Sequence, residues 1–183
     1  MTIVLLRHGK TQGNLEHRYI GSTDEPLCEE GRRELLTVRP LETDMLYVSP
    51  LRRCRETAEI LFPHVEQHVS FELRECSFGT FENHTYEELK NDPAYRNWLD
   101  GKGDPPEGES KEHQQSRSVA AFLQITERHK TAERLTFVVH GGTIMCLLEA
   151  LEESHVFYDW QVDNGGGFLC TWDARFLHVE KRL

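Results

Sequence analysis

Three short runs of β-branched and aliphatic residues constrain the fold of this 183-residue chain most strongly. They occupy residues 3–6, 46–48 and 137–139. Apolar runs of this length are typical of strands that are buried on both faces. Because such strands need helices on both sides of their sheet, the pattern predicts an α/β fold.

Polar side chains follow these runs where each strand is expected to end. Arg7 and His8 come directly after the first run, and His140 comes directly after the third. Glu75 ends a further segment that begins near residue 67. Open α/β sheets bind ligands at the carboxyl ends of their strands. The sequence therefore predicts that a cation, two imidazoles and a carboxylate meet at one edge of the sheet.

The second run leads into a predicted anion site. Ser49 is a good N-cap and Pro50 suits the first helical position, so a helix is expected to start there. Arg53 then lies in the first turn, beside free backbone N–H groups and the positive end of the helix dipole. Taken singly, Arg53 has an ordinary interpretation as a surface ion-pair partner, and His140 as a solvated turn residue. Only the combination indicates a site.

The combination resembles the histidine phosphatase superfamily, in its phosphoglycerate-mutase-like first branch. The resemblance runs from residue 3 to residue 164. The matching motifs are Arg-His-Gly-x-Thr at 7–11, Ser-Pro-Leu-x-Arg at 49–53, Leu-x-Glu at 73–75 and His-Gly at 140–141.

The resemblance implies a three-layer α/β/α sandwich with a mostly parallel central sheet. A single histidine phosphatase domain is expected over residues 1–183, in which residues 76–110 form a small roof over the active site. The alternating pattern over residues 168–179 predicts a C-terminal antiparallel edge hairpin.

The resemblance also assigns chemistry to individual residues. It implies that His8 attacks phosphorus and forms a phosphohistidine, while Glu75 is the general acid and base. Arg7, Arg53 and His140 are implied to complete the catalytic set by binding the phosphoryl oxygens. The second ring nitrogen of His8 must be held by a hydrogen bond, for which we expect a backbone carbonyl. The implied substrate- and phosphate-binding residues are Arg7, Asn14, Gly21, Arg53, His140 and Gly141.

Three segments depart from the family pattern. Lys10 stands where Glu or Gln is usual, and we expect it near the rim of the pocket, where it affects substrate preference. Cys28 replaces the usual Thr as a helix N-cap, so that helix start is expected to fray. Residues 81–83 read Phe-Glu-Asn in place of Trp-Glu-Gly.

The longest predicted helix is expected to begin at the cap Ser110 and to turn three apolar side chains toward the sheet: Val119, Phe122 and Leu123. The remaining charged positions of that helix are expected to form a solvated face. The predicted helices cover about 28–38, 51–62, 84–91, 93–100, 109–129 and 142–151.

The roof segment carries the aromatic residues Tyr86, Tyr95 and Trp98 on short helical pieces. Two interpretations are open for them. Either these side chains line the pocket and select the substrate, or they pack the short helices onto the domain.

Composition narrows the partners and the compartment. The formal net charge of −10 argues against nucleic acid or an anionic membrane as a partner. Five scattered cysteines suit free buried thiols in the cytoplasm better than a disulfide framework. The histidines show no metal-ligand spacing, and no apolar stretch approaches membrane-spanning length. We therefore expect a cytoplasmic monomer or homodimer that binds a small phosphorylated substrate and uses no metal or other cofactor.

The expected function is hydrolysis of a small phosphorylated metabolite. The compact layout and residues 95–98 and 105–110 resemble bacterial proteins labelled α-ribazole phosphatase, which act late in cobalamin assembly. One alternative is a cofactor-dependent phosphoglycerate mutase, although the family's mutases are generally longer, with inserts that shield the phosphoenzyme from water. An alternative of another class is a non-catalytic phospholigand-binding protein, although such proteins usually lack the nucleophile or the acid.

Overall fold

A computed structural model describes residues 1–38, 42–153 and 157–183 and contains, within these ranges, one six-stranded sheet. The strands are β1 (Thr2–Arg7), β2 (Met45–Val48), β3 (Gln67–Val69), β4 (Arg134–Val139), β5 (Gly167–Trp172) and β6 (Leu177–Arg182). Their order is β3-β2-β4-β1-β5-β6. The first four are parallel, whereas β5 runs antiparallel to both β1 and β6. The predicted mostly parallel sheet with a C-terminal antiparallel hairpin is confirmed.

Helices cover both faces of the sheet, as predicted. They are α1 (Gln12–Leu15), α2 (Glu29–Leu35), α3 (Arg52–Leu61), α4 (Tyr86–Leu89), α5 (Pro93–Leu99), α6 (Lys111–Arg128) and α7 (Gly141–Leu151). Short 3₁₀ turns lie at Phe71–Leu73, Gly79–Phe81 and Phe157–Trp160. Helices α2 and α3 pack on one face, and α6 and α7 pack on the other. The short helix α1 and the 3₁₀ turns were not predicted.

The alternation of side chains along β1 divides the core into two halves. Ile3 and Leu5 pack with α6 and α7, whereas Val4 and Leu6 pack with α2 and α3. All four are essentially inaccessible to solvent, and each contributes about 1.5–3 kcal/mol through burial. Because the strand is anchored on both faces, its carboxyl end is held in a fixed position.

Helix α6 begins as predicted and faces the sheet slightly differently. The hydroxyl of Ser110 accepts the backbone N–H of His113 at 3.1 Å. Phe122 is fully buried and Val119 is partly buried against the same core, but Leu123 is 41% exposed. The inward prediction for Leu123 is wrong, because Ile125 occupies the next inward position, three residues beyond Phe122.

The start of α3 also corrects an expectation. The N-cap is Leu51, two residues after the predicted cap Ser49, and it makes no side-chain capping bond. The hydroxyl of Ser49 instead pairs with Nε2 of His140 at 2.6 Å and accepts a long 3.4 Å bond from the N–H of Leu51. Arg53 remains in the first turn, as expected.

The start of α2 is capped by sulfur. Cys28 occupies the N-cap position, and its Sγ accepts the backbone N–H of Gly31 at 3.3 Å. Glu29 and Glu30 in the first turn complement the helix dipole. The cap is thus filled, although by a weaker acceptor than a hydroxyl.

All five cysteines are free thiols. Cys54, Cys146 and Cys170 are buried as expected, whereas Cys28 and Cys76 are partly exposed. Among the described residues, no helix combines the length and apolar character needed to cross a membrane.

Candidate active site

His8 stands directly after β1 with both ring nitrogens hydrogen-bonded. Its Nδ1 lies 2.7 Å from the carbonyl oxygen of Gly9, which can only accept, so Nδ1 carries the proton. Nε of Arg53 donates to Nε2 of His8 at 3.2 Å. The backbone-carbonyl partner is the one expected from the sequence. These two bonds leave the lone pair of the imidazole on Nε2.

The surroundings of His8 favour its neutral form. Burial lowers the pKa of His8 well below its usual value, and the nearby charges of Arg53 and Arg7 lower it further. A neutral imidazole with a defined tautomer is the form that can act as a nucleophile at neutral pH.

Arg53 is fully buried and is held by a loop before α2. Its Nη1 donates to the carbonyl of Thr23 and its Nη2 to the carbonyl of Gly21, each at 2.7 Å. Gly21 was implied to bind substrate, but it does not line the cavity described below. Its role in the geometry is to hold Arg53, and a Cβ at Gly21 would lie 2.1 Å from the carbonyl oxygen of Cys76.

Arg7 carries the second guanidinium charge that acts on His8. Its Nη1 donates to the carbonyl of Val162 at 2.7 Å. Its Nε is buried and has no hydrogen-bond partner among the described residues. A Cβ at Gly141 would lie 3.5 Å from that Nε, an ordinary contact distance, so the start of α7 stands directly beside the guanidinium group. Arg7 and Gly141 both line the cavity.

His140 completes the buried group. Its ring centroid is 5.2 Å from that of His8, in an edge-to-face arrangement. Burial lowers the pKa of His140 well below its usual value, with further contributions from Arg53 and His8. His140 is therefore neutral in the free protein, and an anion bound next to it would favour its protonated form.

Glu75 reaches the site by a different route from the one expected. Strand β3 ends at Val69, and a 3₁₀ turn at Phe71–Leu73 then leads to Glu75, so the expected strand end is wrong. The carboxylate accepts the backbone N–H of Gly142, at the start of α7, at 3.0 Å. It also accepts Nε2 of Gln114 at 2.5 Å.

A cavity of about 600 Å³ opens above these groups. Arg7, His8, Asn14 and Glu75 contribute polar groups to it, while Arg53 and His140 lie behind its lining. The oxygen of the Asn14 amide accepts the N–H of Thr11 and Nδ2 of Asn164, so its amino group is the donor suited to a ligand. One part of the cavity wall is apolar and is formed by the side chains of Tyr19, Ile20, Phe78, Met145 and Val162.

Lys10 does not stand at this rim as expected. Its ammonium group pairs with Glu30 at 2.8 Å and with Glu34 at 2.7 Å, both on α2, and it does not line the cavity. The charged residues at the rim are Arg18, Asp163 and Arg182, none of which was predicted. Arg182 belongs to the last strand, whose proximity to β1 depends on tertiary pairing and leaves no local sequence signal.

Aromatic side chains of the roof segment mainly pack against one another. Tyr95 is fully buried and Trp98 is half-buried, in a cluster with Phe81 and Tyr19. Tyr86 is 52% exposed. The packing interpretation therefore holds for Tyr95 and Trp98. Phe78 is the side chain from this segment that lines the cavity within the described residues.

Glu82 joins the roof to the loop that holds Arg53. Its carboxylate accepts backbone N–H groups of Gly21, Ser22 and Phe78 at 2.8–3.1 Å, and the hydroxyl of Thr23 at 2.6 Å. Burial opposes ionisation of Glu82, but these hydrogen bonds outweigh it and lower its pKa. The neighbouring Asn83 has φ 64°, a left-handed backbone conformation that glycine adopts most readily and asparagine more readily than most other residues.

With this geometry in place, comparison with known proteins identifies the family. The sequence profile of the histidine phosphatase superfamily (branch 1) matches residues 3–181. The chain belongs to this superfamily. As a histidine phosphatase superfamily member it is an enzyme of the phosphatase or mutase type.

Individual relatives carry different names. "Phosphoglycerate mutase-like protein 4" of Arabidopsis thaliana is 31% identical over 165 residues, which cover 83% of this chain and 71% of the relative. A phosphoserine phosphatase of Entamoeba histolytica, solved with 3-phosphoglyceric acid, has a TM-score of 0.83 at 25% identity. The alignment covers 99% of this chain and 95% of that chain. A putative α-ribazole-5′-P phosphatase of Escherichia coli has a TM-score of 0.88 at 22% identity, with 98% of this chain covering 94% of it. At that identity the last likeness shows a shared fold.

Proposed function

We propose that this superfamily member is a phosphomonoesterase that works through a phosphohistidine on His8. One observation carries the proposal: a neutral imidazole, protonated on Nδ1, turns Nε2 toward the guanidinium group of Arg53, and His8 lines the same cavity as Arg7. When substrate binds, the Nε–H of Arg53 passes from Nε2 to a phosphoryl oxygen, which frees the lone pair for attack. A phosphomonoester dianion spreads charge over three equatorial oxygens during transfer. Two permanently charged guanidinium groups are suited to stabilise that charge.

The reaction has two steps. In the first, Nε2 of His8 forms a bond to phosphorus, the bond from phosphorus to the ester oxygen breaks, and Glu75 gives its proton to the departing oxygen. In the second, water attacks phosphorus, its proton goes to the Glu75 carboxylate, and the nitrogen–phosphorus bond breaks. Inorganic phosphate and neutral His8 result. Asn14, His140 and Gly141 are proposed to contact the phosphoryl oxygens, and no metal or other cofactor is assigned a part.

Water access favours hydrolysis over mutase chemistry. A mutase must keep water from the phosphoenzyme until the transferred group returns to an acceptor. Here the roof segment contributes Phe78 to the cavity lining within the described residues, while its Phe81, Tyr95 and Trp98 pack in the aromatic cluster. The names of the phosphoglycerate mutase-like relatives keep the mutase as the second candidate.

The apolar wall supports an aromatic leaving group as the finer proposal. The rings of Tyr19 and Phe78 meet edge-to-face at 5.3 Å on one side of the cavity. A flat heterocycle such as the base of α-ribazole 5′-phosphate suits such a wall. We therefore propose α-ribazole 5′-phosphate as the substrate and the cytoplasm, where free thiols persist, as the compartment.

Two assays test these statements. A panel of α-ribazole 5′-phosphate, phosphoserine and 3-phosphoglycerate, assayed for phosphate release, should give the highest kcat/KM for the first. A preference for either small acid would overturn the α-ribazole proposal. With 3-phosphoglycerate and a trace of 2,3-bisphosphoglycerate, rapid 2-phosphoglycerate formation without phosphate release would reject the phosphatase in favour of the mutase.

The acid role of Glu75 has its own test. Glu75→Gln should slow hydrolysis of an alkyl phosphate far more than that of p-nitrophenyl phosphate, because p-nitrophenolate leaves with little need of a proton. Equal losses on the two esters would reject Glu75 as the acid.

A further inference from the structure

Gln114 contacts the proposed acid from helix α6. Its Nε2 donates to Oε1 of Glu75 at 2.5 Å, and the glutamine is only 3% exposed. The amide presents its NH2 group to the carboxyl group of Glu75. No role in binding phosphate is assigned to this side chain above.

Hydrogen bonds distinguish the two carboxylate oxygens of Glu75. Oε1 accepts from Gln114 and from the backbone N–H of Cys76 at 3.1 Å. Oε2 accepts from the backbone N–H of Gly142 at 3.0 Å. Since a carboxylate oxygen has two lone-pair sites, the described contacts fill Oε1 and leave one site on Oε2.

We propose that Gln114 is a positioning residue that directs the transferable proton of Glu75 to Oε2 and helps set the pH at which that proton is lost. This inference rests on the proposed function, in which Glu75 is the acid. Cys76 and Gly142 donate through the backbone, so of the three donors only Gln114 is removed by a side-chain substitution.

The start of α7 closes tightly around the pair. A Cβ at Gly142 would lie 2.5 Å from Oε1 of Glu75 and 3.1 Å from Nε2 of Gln114. Glycine therefore permits the carboxylate to approach the helix end.

Other charged and titratable groups face Glu75 from the surrounding elements. Burial raises the pKa of the Cys54 and Cys146 thiols to about 12 and that of Cys76 well above its usual value, so the thiols stay neutral across an ordinary assay range. The guanidinium groups of Arg7 and Arg117 stay charged. The groups are Arg7 at the end of β1, Cys54 on α3, Cys76 beside Glu75, Arg117 on α6 and Cys146 on α7.

The test is the pH profile of kcat/KM for an alkyl phosphate, whose leaving oxygen needs the proton. Loss of the acid's proton gives the alkaline limb, and that limb should disappear in Glu75→Gln. Gln114→Leu removes a donor that favours the ionised carboxylate, so the limb should move up by about one pH unit and maximal kcat/KM should fall about tenfold. Gln114→Glu sets a second carboxylate beside that of Glu75. The two carboxyl groups should then share a proton that is lost only at still higher pH, so the alkaline limb should move up further.

Gln115→Leu is the matched control. The neighbouring Gln115 donates to Glu149 and to the carbonyl of Cys146, away from Glu75, so the limb should keep its wild-type position. Circular dichroism checks that each variant folds. If Gln114→Leu does not fold, the pH profile of the nearly isosteric Gln114→Glu variant decides.

The outcomes separate the two proposals. An alkaline limb that survives in Glu75→Gln rejects Glu75 as the acid, and the role of Gln114 falls with it. A limb that belongs to Glu75 but stays unmoved in the folded Gln114 variants overturns the positioning role alone. A limb that moves equally in Gln115→Leu overturns it as well.

Discussion

The floor of the cavity and the segment of residues 76–110, which contributes Phe78 to the cavity lining, are held together by different forces. The floor consists of Arg7 at the end of β1, His8 and His140 directly after β1 and β4, and Arg53 in the first turn of α3, which packs on the sheet. This roof segment consists of short helices around an aromatic cluster that also includes Tyr19. The sheet thus fixes the groups that handle phosphate, while the roof can vary without disturbing them.

Glu82 is the exception that connects the two regions. It sits in the roof and binds the loop whose carbonyls hold Arg53, and Arg53 in turn contacts Nε2 of His8. Substitutions in the floor, at this connection and in the roof should therefore have effects of decreasing size.

The largest effect is expected in the floor, from Arg53→Ala. Loss of one preorganised donor to the transition state should lower kcat by about 10²–10³. The matched control is Arg52→Ala, which removes an exposed arginine paired with Glu56 and should leave kcat nearly unchanged. Equal effects of the two variants on phosphatase assays would contradict the separation of the floor from the surface.

Glu82→Gln tests the connection. An amide cannot accept all the donors that converge on the carboxylate, so the variant should lose about 1–3 kcal/mol of unfolding free energy. Because Arg53 then has a looser anchor, kcat should fall about tenfold. Glu87→Gln, an exposed carboxylate of the roof, serves as the control in the same denaturant and kinetic measurements. A Glu82→Gln enzyme with wild-type kcat would show that roof and floor are independent.

The buried histidines give the floor a pH-dependent stability. His8 and His140 have pKa values lowered below the unfolded value near 6.5, so between that value and their folded values the unfolded chain binds more protons. Unfolding free energy should therefore fall as pH drops below about 6.5, by up to about 1.4 kcal/mol per pH unit for each histidine.

Urea denaturation at several pH values measures this slope. His140→Gln should flatten it, whereas His84→Gln, at an exposed position in the roof, should not. A slope unchanged by His140→Gln would mean that its imidazole titrates normally in the folded protein.

The smallest effect is expected from Phe78→Ala in the roof. Removal of one ring from the apolar wall should raise KM for an aromatic phosphate ester about fivefold. Competitive inhibition by inorganic phosphate, which touches only the floor, should stay within about twofold of wild type. A strong loss of phosphate binding would mean that Phe78 contributes to the phosphate site of the floor and would contradict the separation of the two regions.

The position of the floor was predictable because it follows from strand pairing. Arg7, His8 and His140 each follow an apolar run, and parallel pairing brings the ends of such runs to one edge of the sheet. The expected strand before Glu75 was wrong because the short apolar pattern there does not distinguish a strand from the 3₁₀ turn that follows β3.

Polar contacts between distant segments were not predictable. Gln114 and Glu75 are 39 residues apart and belong to elements whose apolar pattern says nothing about their polar partners. Lys10 offers a different lesson. Glu30 and Glu34 stand four residues apart on one face of α2, a local signal that could have indicated the surface ion pairs that hold this lysine.

The most direct test is to trap the phosphoenzyme. Wild-type enzyme quenched during turnover of a labelled phosphate ester should carry a base-stable, acid-labile label on the peptide that contains His8. His8→Ala should fold, show no label and have no turnover, while His17→Ala, an exposed histidine nearby, should behave as wild type. A label on another residue, or a His8→Ala enzyme that still turns over, would contradict His8 as the nucleophile.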